Sequence, residues 1–180
     1  VNDEELAAQA RAKPEAFAEL YRRHVARVYR YHLAHTGNVK DAEDLTSQTF
    51  LSALEGIRSY RGMGSFAAWL LGIAQKRKAM FFRSRKPEAE IEALESIPAP
   101  ERVDQSAEQR ITIRNIARAL SRISPDRSEV ITLIYFGGLS IAEAARSLGK
   151  SEASIKMLVS RGLDDLRERS SLKLEMDHER

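Results

Sequence analysis

"LSIAEAARSLGKSEASIKMLVSRGLDDLR", Leu139 to Arg167, reads as two short helices separated by a break at Gly149. Ser140 stands ahead of the first helix and Ser151 ahead of the second. In both places a hydroxyl can accept from the free N–H groups of the first turn. Ala144, Ala145 and Leu148 fall on one side of the first helix, and Ile155, Val159 and Leu166 on the facing side of the second. Gly149 lies where the backbone needs a positive φ to turn, and the small Ala145 lets the two helices cross closely. The pattern is that of a helix-turn-helix. The exposed first turns of its second helix offer Glu152, Ser154, Lys156, Met157, Ser160 and Arg161, the positions that meet base edges and phosphates in a major groove. A purely structural hairpin is the plain alternative. An apolar–Gly–apolar register kept over more than twenty residues favours DNA binding.

The rest of the chain decides what kind of protein owns this element: a repressor, an activator, or a subunit that brings a polymerase to its start site. From Pro14 to Lys86 the pattern is also helical. Phe17, Leu20, Tyr21, His24, Val25 and Val28 keep the three-and-four spacing of one buried face. Gly37–Asn38 breaks that helix. Asp41 is the expected cap of the next, with Asp44 three residues on as a loose capping box. That helix is expected to bury Leu45, Phe50, Leu51 and Leu54. "YRGMGS" (60–65) must be a loop, and Ser65 then caps a long helix from Phe66 towards Arg85. After it, "KPEAEIEALESIPAPERVDQSAE" holds three of the five prolines and reads as a linker. Helical pattern returns near Glu108 with Ile111, Ile113, Ile116, Ala117 and Leu120. Ser124 and Pro125 then open a further helix that Gly137–Gly138 stops. The expected fold is all-α, with two helical domains, 1–87 and 109–180, joined by a flexible acidic linker, 88–108.

Charge follows the same division. Residues 1–87 carry 15 Lys/Arg against 9 Asp/Glu, a net of +6. Residues 88–108 carry one Arg against seven acids, a net of −6, and residues 109–180 carry 13 against 10, a net of +3. Basic flanks suit a polyanion, because neutralising phosphates releases counterions. "QKRKAMFFRSRK" (75–86) has six basic residues, no acid, and Phe81 and Phe82 among them. It offers cations and stacking surface for nucleic acid. A solvated helix end, with cations favoured by the C-terminal dipole, explains it equally well. The glycine loop lacks the GK[ST] of a phosphate-binding loop. Tyr60 at its edge could hold an unstacked base, and Trp69 belongs to the core.

The exclusions are short. With no cysteine, disulfides and thiolate metal sites are out. His24, His32, His35 and His178 have no metal spacing, no cofactor motif occurs, and no catalytic constellation can be read, so an enzyme is not expected. No apolar run approaches the roughly 18 residues of a membrane span. Val1 begins no signal-peptide pattern, and the absence of Met there suggests a trimmed or engineered start. A cytoplasmic protein without membrane insertion is the expectation.

In this order the pieces resemble an extracytoplasmic-function (ECF) sigma factor of the sigma-70 family, over roughly Ala16 to Glu168. "DAEDLTSQTFLSAL" (Asp41–Leu54) is similar to the family's core-polymerase-binding helix. "YRGMGSFAAWLLGIA" (Tyr60–Ala74) resembles its promoter-melting loop and helix, and "LSIAEAARSLGKSEASIKMLVSR" resembles its second-domain helix-turn-helix. The resemblance implies three surfaces. Asp41, Asp44, Gln48, Phe50 and Leu51 would bind the RNA polymerase core. Tyr60, Arg61, Gly62, Ser65, Ile73, Lys76 and Arg77 would open the minus-ten element of promoter DNA and pocket a flipped base. Ser151, Ser154, Lys156, Ser160 and Arg161 would read the minus-thirty-five element. It also implies that the acidic linker runs through the polymerase's RNA path, and that an anti-sigma factor masks both domains.

Three departures from the family pattern stand out. "IAQK" (73–76) puts Lys76 where the family often has "IARN", so a phosphate or a carbonyl acceptor replaces an amide contact. Leu158 is apolar where a basic residue is frequent, so either the minus-thirty-five contacts are fewer or the helix is rotated to turn Leu158 into its core. Asp164 and Asp165 would repel phosphate and are expected to face away from DNA. A free-standing regulator of the response-regulator output type, with its similar "LS…IA..LG.S…VK" pattern, and an interaction protein that sequesters polymerase remain as alternatives.

Overall fold

In a computed structural model, residues 1–85 and 106–178 are described, the last eight of these as backbone only. The acidic linker lies outside them, apart from Ser106 and the helical Ala107 and Glu108. Among the described residues the structure is helical throughout, with no strand. The first half comprises α1 (Asp3–Ala10), α2 (Pro14–Thr36), α3 (Val39–Gly56) and α4 (Phe66–Arg85), with a 3₁₀ turn at Ile57–Ser59. The second comprises α5 (Ala107–Ser121), α6 (Pro125–Ile131), a π-turn at Thr132–Phe136, α7 (Ile141–Leu148) and α8 (Glu152–His178). None of these helices is long and apolar enough to cross a membrane.

Local chemistry explains most boundaries. Ser106, Ser124 and Ser140 each accept a hydrogen bond from a first-turn N–H, and Glu143 completes a capping box with Ser140. Gly37 ends α2 in the left-handed region. The cap of α3 differs from expectation. Asn38, not Asp41, is the N-cap, and its side chain accepts from the Asp41 N–H at 3.0 Å. Asp41 is thereby placed inside the first turn, where it pairs with Arg85 of α4. Helix α1, opened by a capping box between Asn2 and Glu5, was not foreseen. Its Leu6, Ala7 and Ala10 close one end of the core.

The core of the first half is built from Leu20, Val28 and Tyr31 of α2, Phe50 and Ala53 of α3, and Phe66, Leu70, Leu71 and Ala74 of α4. Leu51 and Leu54 do not join it. The buried strip of α3 runs through Ala42, Leu45, Thr49, Phe50 and Ala53, so three-and-four spacing puts both leucines on the outer side. Tyr21, Ile111 and Ile116 are likewise exposed.

The two domains expected on either side of the acidic linker also pack on one another. Leu133 and Leu139 belong to the same buried cluster as Leu71, and Leu148 packs against it. Ala34 of α2 in turn joins Leu120, Ile123 and Ile131. Helix α2 is the common support, because α5 and the π-turn both lie along its C-terminal half.

Candidate nucleic-acid interface

The helix-turn-helix is formed by α7 and α8. Gly149 takes φ +63° and passes the chain between them. No atom crowds the space a β-carbon would fill, so the backbone conformation alone calls for glycine. Val130, Ala144, Ala145 and Ile155 are buried at the crossing, and Leu158 and Val159 pack on them half-buried. Leu158 is thus turned inward. Gly162 is needed for another reason. A β-carbon there would come within 2.6 Å of Ile131 Cδ1, so α8 lies flush on α6.

This packing leaves the outer side of α8 free. Lys156, Ser160 and Arg161 are exposed, and Met157 beside them is about half exposed. Ser151 is engaged locally. Its Oγ accepts from the Ser154 N–H at 3.1 Å and donates towards Ser154 Oγ at 3.0 Å, so it fixes the start of the helix. The two aspartates separate. Asp165 turns into an ion pair with Arg127 of α6. Asp164 does not face away: it lines a shallow depression with Lys156, Ser160 and Arg167, on the same face one turn further along. Helical spacing puts residues 156, 160 and 164 in one column, which the expectation for the pair overlooked.

The loop and α4 form a second surface. Arg61, Gly62 and Met63 are exposed, with Met63 at the tip, while Ser65 caps α4 through the Ala68 N–H at 3.1 Å. Tyr60 is not on that surface. It is buried against Phe66 and Trp69, and its hydroxyl donates to the Gly64 carbonyl at 3.0 Å, so it braces the loop from inside. Ile73, Lys76 and Met80 follow one partly exposed strip of α4. Arg77 points elsewhere and donates to Ser52 of α3. Lys78 is drawn to Glu129, and Arg85 to Asp41 and the Phe81 ring. Much of the basic run is therefore paired within the protein. Met63 and Met80 were missed by sequence reading, and their only signal was an apolar side chain at a position unable to reach a core.

A third surface lies on α3. Asp44, Gln48, Leu51 and Leu54 are exposed along one strip, and Phe50 is buried beneath it against Phe17 and Tyr21. Asp41 stands at its edge, half-buried on Arg85.

A family model of sigma-70 region 2 matches residues 20–88, and one of sigma-70 region 4 matches residues 113–166. The ECF RNA polymerase sigma factor SigM of Mycobacterium tuberculosis is 32% identical over 162 residues, covering 89% of this chain and 80% of SigM. The chain belongs to the sigma-70 family. The ECF RNA polymerase sigma factor BldN of Streptomyces coelicolor is 39% identical over 168 residues, 90% of this chain. The chain spans 63% of BldN's length. The fold matches the structure of CnrH in complex with the cytosolic domain of CnrY, with a TM-score of 0.75 over 94% of this chain and 97% of that one, at 23% identity. In sigma-70 terms, α2–α4 lie in region 2 and α5 to the first half of α8 in region 4.

Proposed function

We propose that the protein is a promoter-specificity subunit of bacterial RNA polymerase. It binds the core enzyme through Asp44, Gln48 and Leu51 of α3, with Asp41 and Phe50 shaping that strip. It opens the minus-ten element with Arg61, Gly62, Ser65, Ile73 and Lys76, and reads the minus-thirty-five element with Ser154, Lys156, Ser160 and Arg161. Tyr60, Arg77 and Ser151 support these surfaces by positioning the loop, α4 and the start of α8. It acts by binding, in the cytoplasm where the polymerase works, and the polymerase supplies the catalysis. The acidic linker separates the two DNA-reading domains.

The observation that carries this reading is the strip on α3. Leu51 is 58% exposed and Leu54 46%. A regulator that only bound DNA would have no use for two open leucines beside Asp44 and Gln48, whereas a helix that docks on a protein partner needs an apolar centre with a polar rim. CnrH is a solved neighbour held by CnrY, and RpoE of Bartonella quintana one held by the anti-sigma factor NepR. An anti-sigma partner is accordingly part of the proposal.

Run-off transcription with core polymerase on a genomic promoter library tests it. The expected result is transcripts from a restricted set of promoters, lost with Asp44→Lys. No transcript from any template sinks the reading. Binding to a promoter with the same affinity in the absence of core polymerase would instead favour a free-standing regulator.

A further inference from the structure

The two halves meet along a seam where one carboxylate serves several partners. Glu129 of α6 accepts from the Tyr31 hydroxyl at 2.6 Å through one oxygen. Its other oxygen accepts from Lys78 Nζ of α4 and lies 3.7 Å from His35 Nε2. Lys78 also sits 5.4 Å from the Tyr31 ring centroid. Thr132 Oγ1 gives its proton to the Glu129 carbonyl, so it receives one from His35 Nε2 at 2.9 Å. Tyr31 is fully buried, and Glu129 and Lys78 each keep only 16% of their side-chain exposure. Around this cluster the seam is apolar, with Leu133 and Leu139 against Leu71. Apolar contact is non-directional. The charge cluster is not, because Lys78 and Tyr31 from one half must find a single carboxylate from the other.

We propose that Glu129 is a latch that holds the two halves closed in the free protein, by pairing with Lys78 and Tyr31 across the seam. Removing the carboxylate leaves the Lys78 ammonium largely buried at the seam without its ion-pair partner, and opening then restores its hydration. The latch grips the helix that carries Ile73 and Lys76, so it ties the minus-ten surface to the second half directly.

The consequence rests on the sigma-factor reading above. Elements centred at minus ten and minus thirty-five are about 25 base pairs apart, or roughly 85 Å along the duplex. A compact chain of 180 residues has a radius of gyration of about 16 Å and is roughly 40 Å across. The closed form cannot touch both elements, and releasing Glu129 is a required step before it can.

Small-angle scattering from the full-length chain alone tests the latch, with circular dichroism as a check on folding. Wild type should give about 16 Å. Glu129→Ala and Lys78→Glu should each raise the radius by roughly a third, approaching two separated half-size bodies. The exchanged pair Lys78→Glu/Glu129→Lys should return to the wild-type value. Where Glu129→Ala loses helix content, Glu129→Gln decides, since it keeps the shape and the Tyr31 bond but removes the charge. A Gln variant that keeps the wild-type radius overturns the latch, as does an exchanged pair no more compact than the single variants. Scattering needs no polymerase, so this proposal can fail while the transcription test succeeds, and the reverse.

Discussion

Two helices of this protein carry runs of cations, and they spend them differently. On α8, Lys156 and Arg161 stand exposed beside Ser160. On α4, Arg77, Lys78 and Arg85 are committed to Ser52, Glu129 and Asp41, which leaves Lys76 and Arg83 exposed. The denser run thus gives a nucleic acid little more free charge than the sparser one. A cation's availability is set by what other segments bring near it. The α8 cations sit over a helix whose inner side is satisfied by apolar packing on α6 and α7. The α4 cations lie where α3 and α6 each present an acceptor.

Acid should upset this division most, because the support beneath the α4 run depends on neutral imidazoles. Burial lowers the His32 pKa to about 3, and burial also lowers His24 and His35, the last helped by nearby Lys78 and His32. A group whose folded pKa is depressed binds protons more readily in the unfolded chain. The stability these residues allow is therefore complete above pH 6.5 and lost progressively as pH falls towards 3. Each histidine costs up to roughly 1.4 kcal/mol per pH unit inside its window. Thermal melts should drop steadily from pH 7 to pH 5, and a flat profile would contradict the assigned protonation states.

Lys78→Ala should come next. It strands the Glu129 carboxylate at the seam, for which roughly 3 kcal/mol is a fair upper figure given the residual exposure of both groups. The loss should appear in denaturant midpoints. Equal stability of Lys78→Ala and Lys76→Ala would remove the distinction between paired and free cations on α4.

Lys156→Ala and Arg161→Ala should show the opposite profile. Stability should hold, while promoter use with core polymerase falls by about 1–3 kcal/mol for each base edge that is no longer read directly. Unchanged transcription in both would remove α8 as the reader. Gly162→Ala tests how that helix is seated. The added methyl meets Ile131 at 2.6 Å, and overpacking of this kind costs about 1–3 kcal/mol of stability. The smallest change should come from Asp164→Asn. Removing an exposed charge from the reading face should strengthen promoter use by roughly 0.5–1 kcal/mol at low salt, a gain that shrinks as salt screens the repulsion. A weaker promoter response would mean that Asp164 serves the interface.

Several features were legible without coordinates. Serine caps at 65, 124, 140 and 151, the break at Gly37 and the turn at Gly149 depend on chemistry within a few residues, and sequence displays that directly. The side that Leu158 takes was only half legible, because its apolar type fits either a buried place or a bare patch on the DNA face, and packing turns it inward. Other features were not legible. Tyr60 stands at the edge of an exposed loop yet is buried, and Leu51 and Leu54 carry core residue types yet are exposed, whereas Phe50 beside them is buried as expected. A modest rotation of a helix about its axis separates these outcomes, and local pattern does not fix rotation once several apolar residues compete for the same side. The partner of Arg77 and the face of Asp164 were hidden for the same reason, since each is defined by a neighbour or a face rather than by its own type.

Short segments of the chain suffice to specify an all-helical sigma-70 protein with a helix-turn-helix near its end, because helix period, caps and glycine breaks are local properties. Tertiary packing alone brings the two halves onto one another, commits most of the α4 cations, and sets Glu129 where Lys78, Tyr31 and His35 converge. Those residues are separated by about fifty to a hundred positions in the chain. Pairing across such distances depends on how the helices pack against α2, and no local rule of charge or periodicity encodes it.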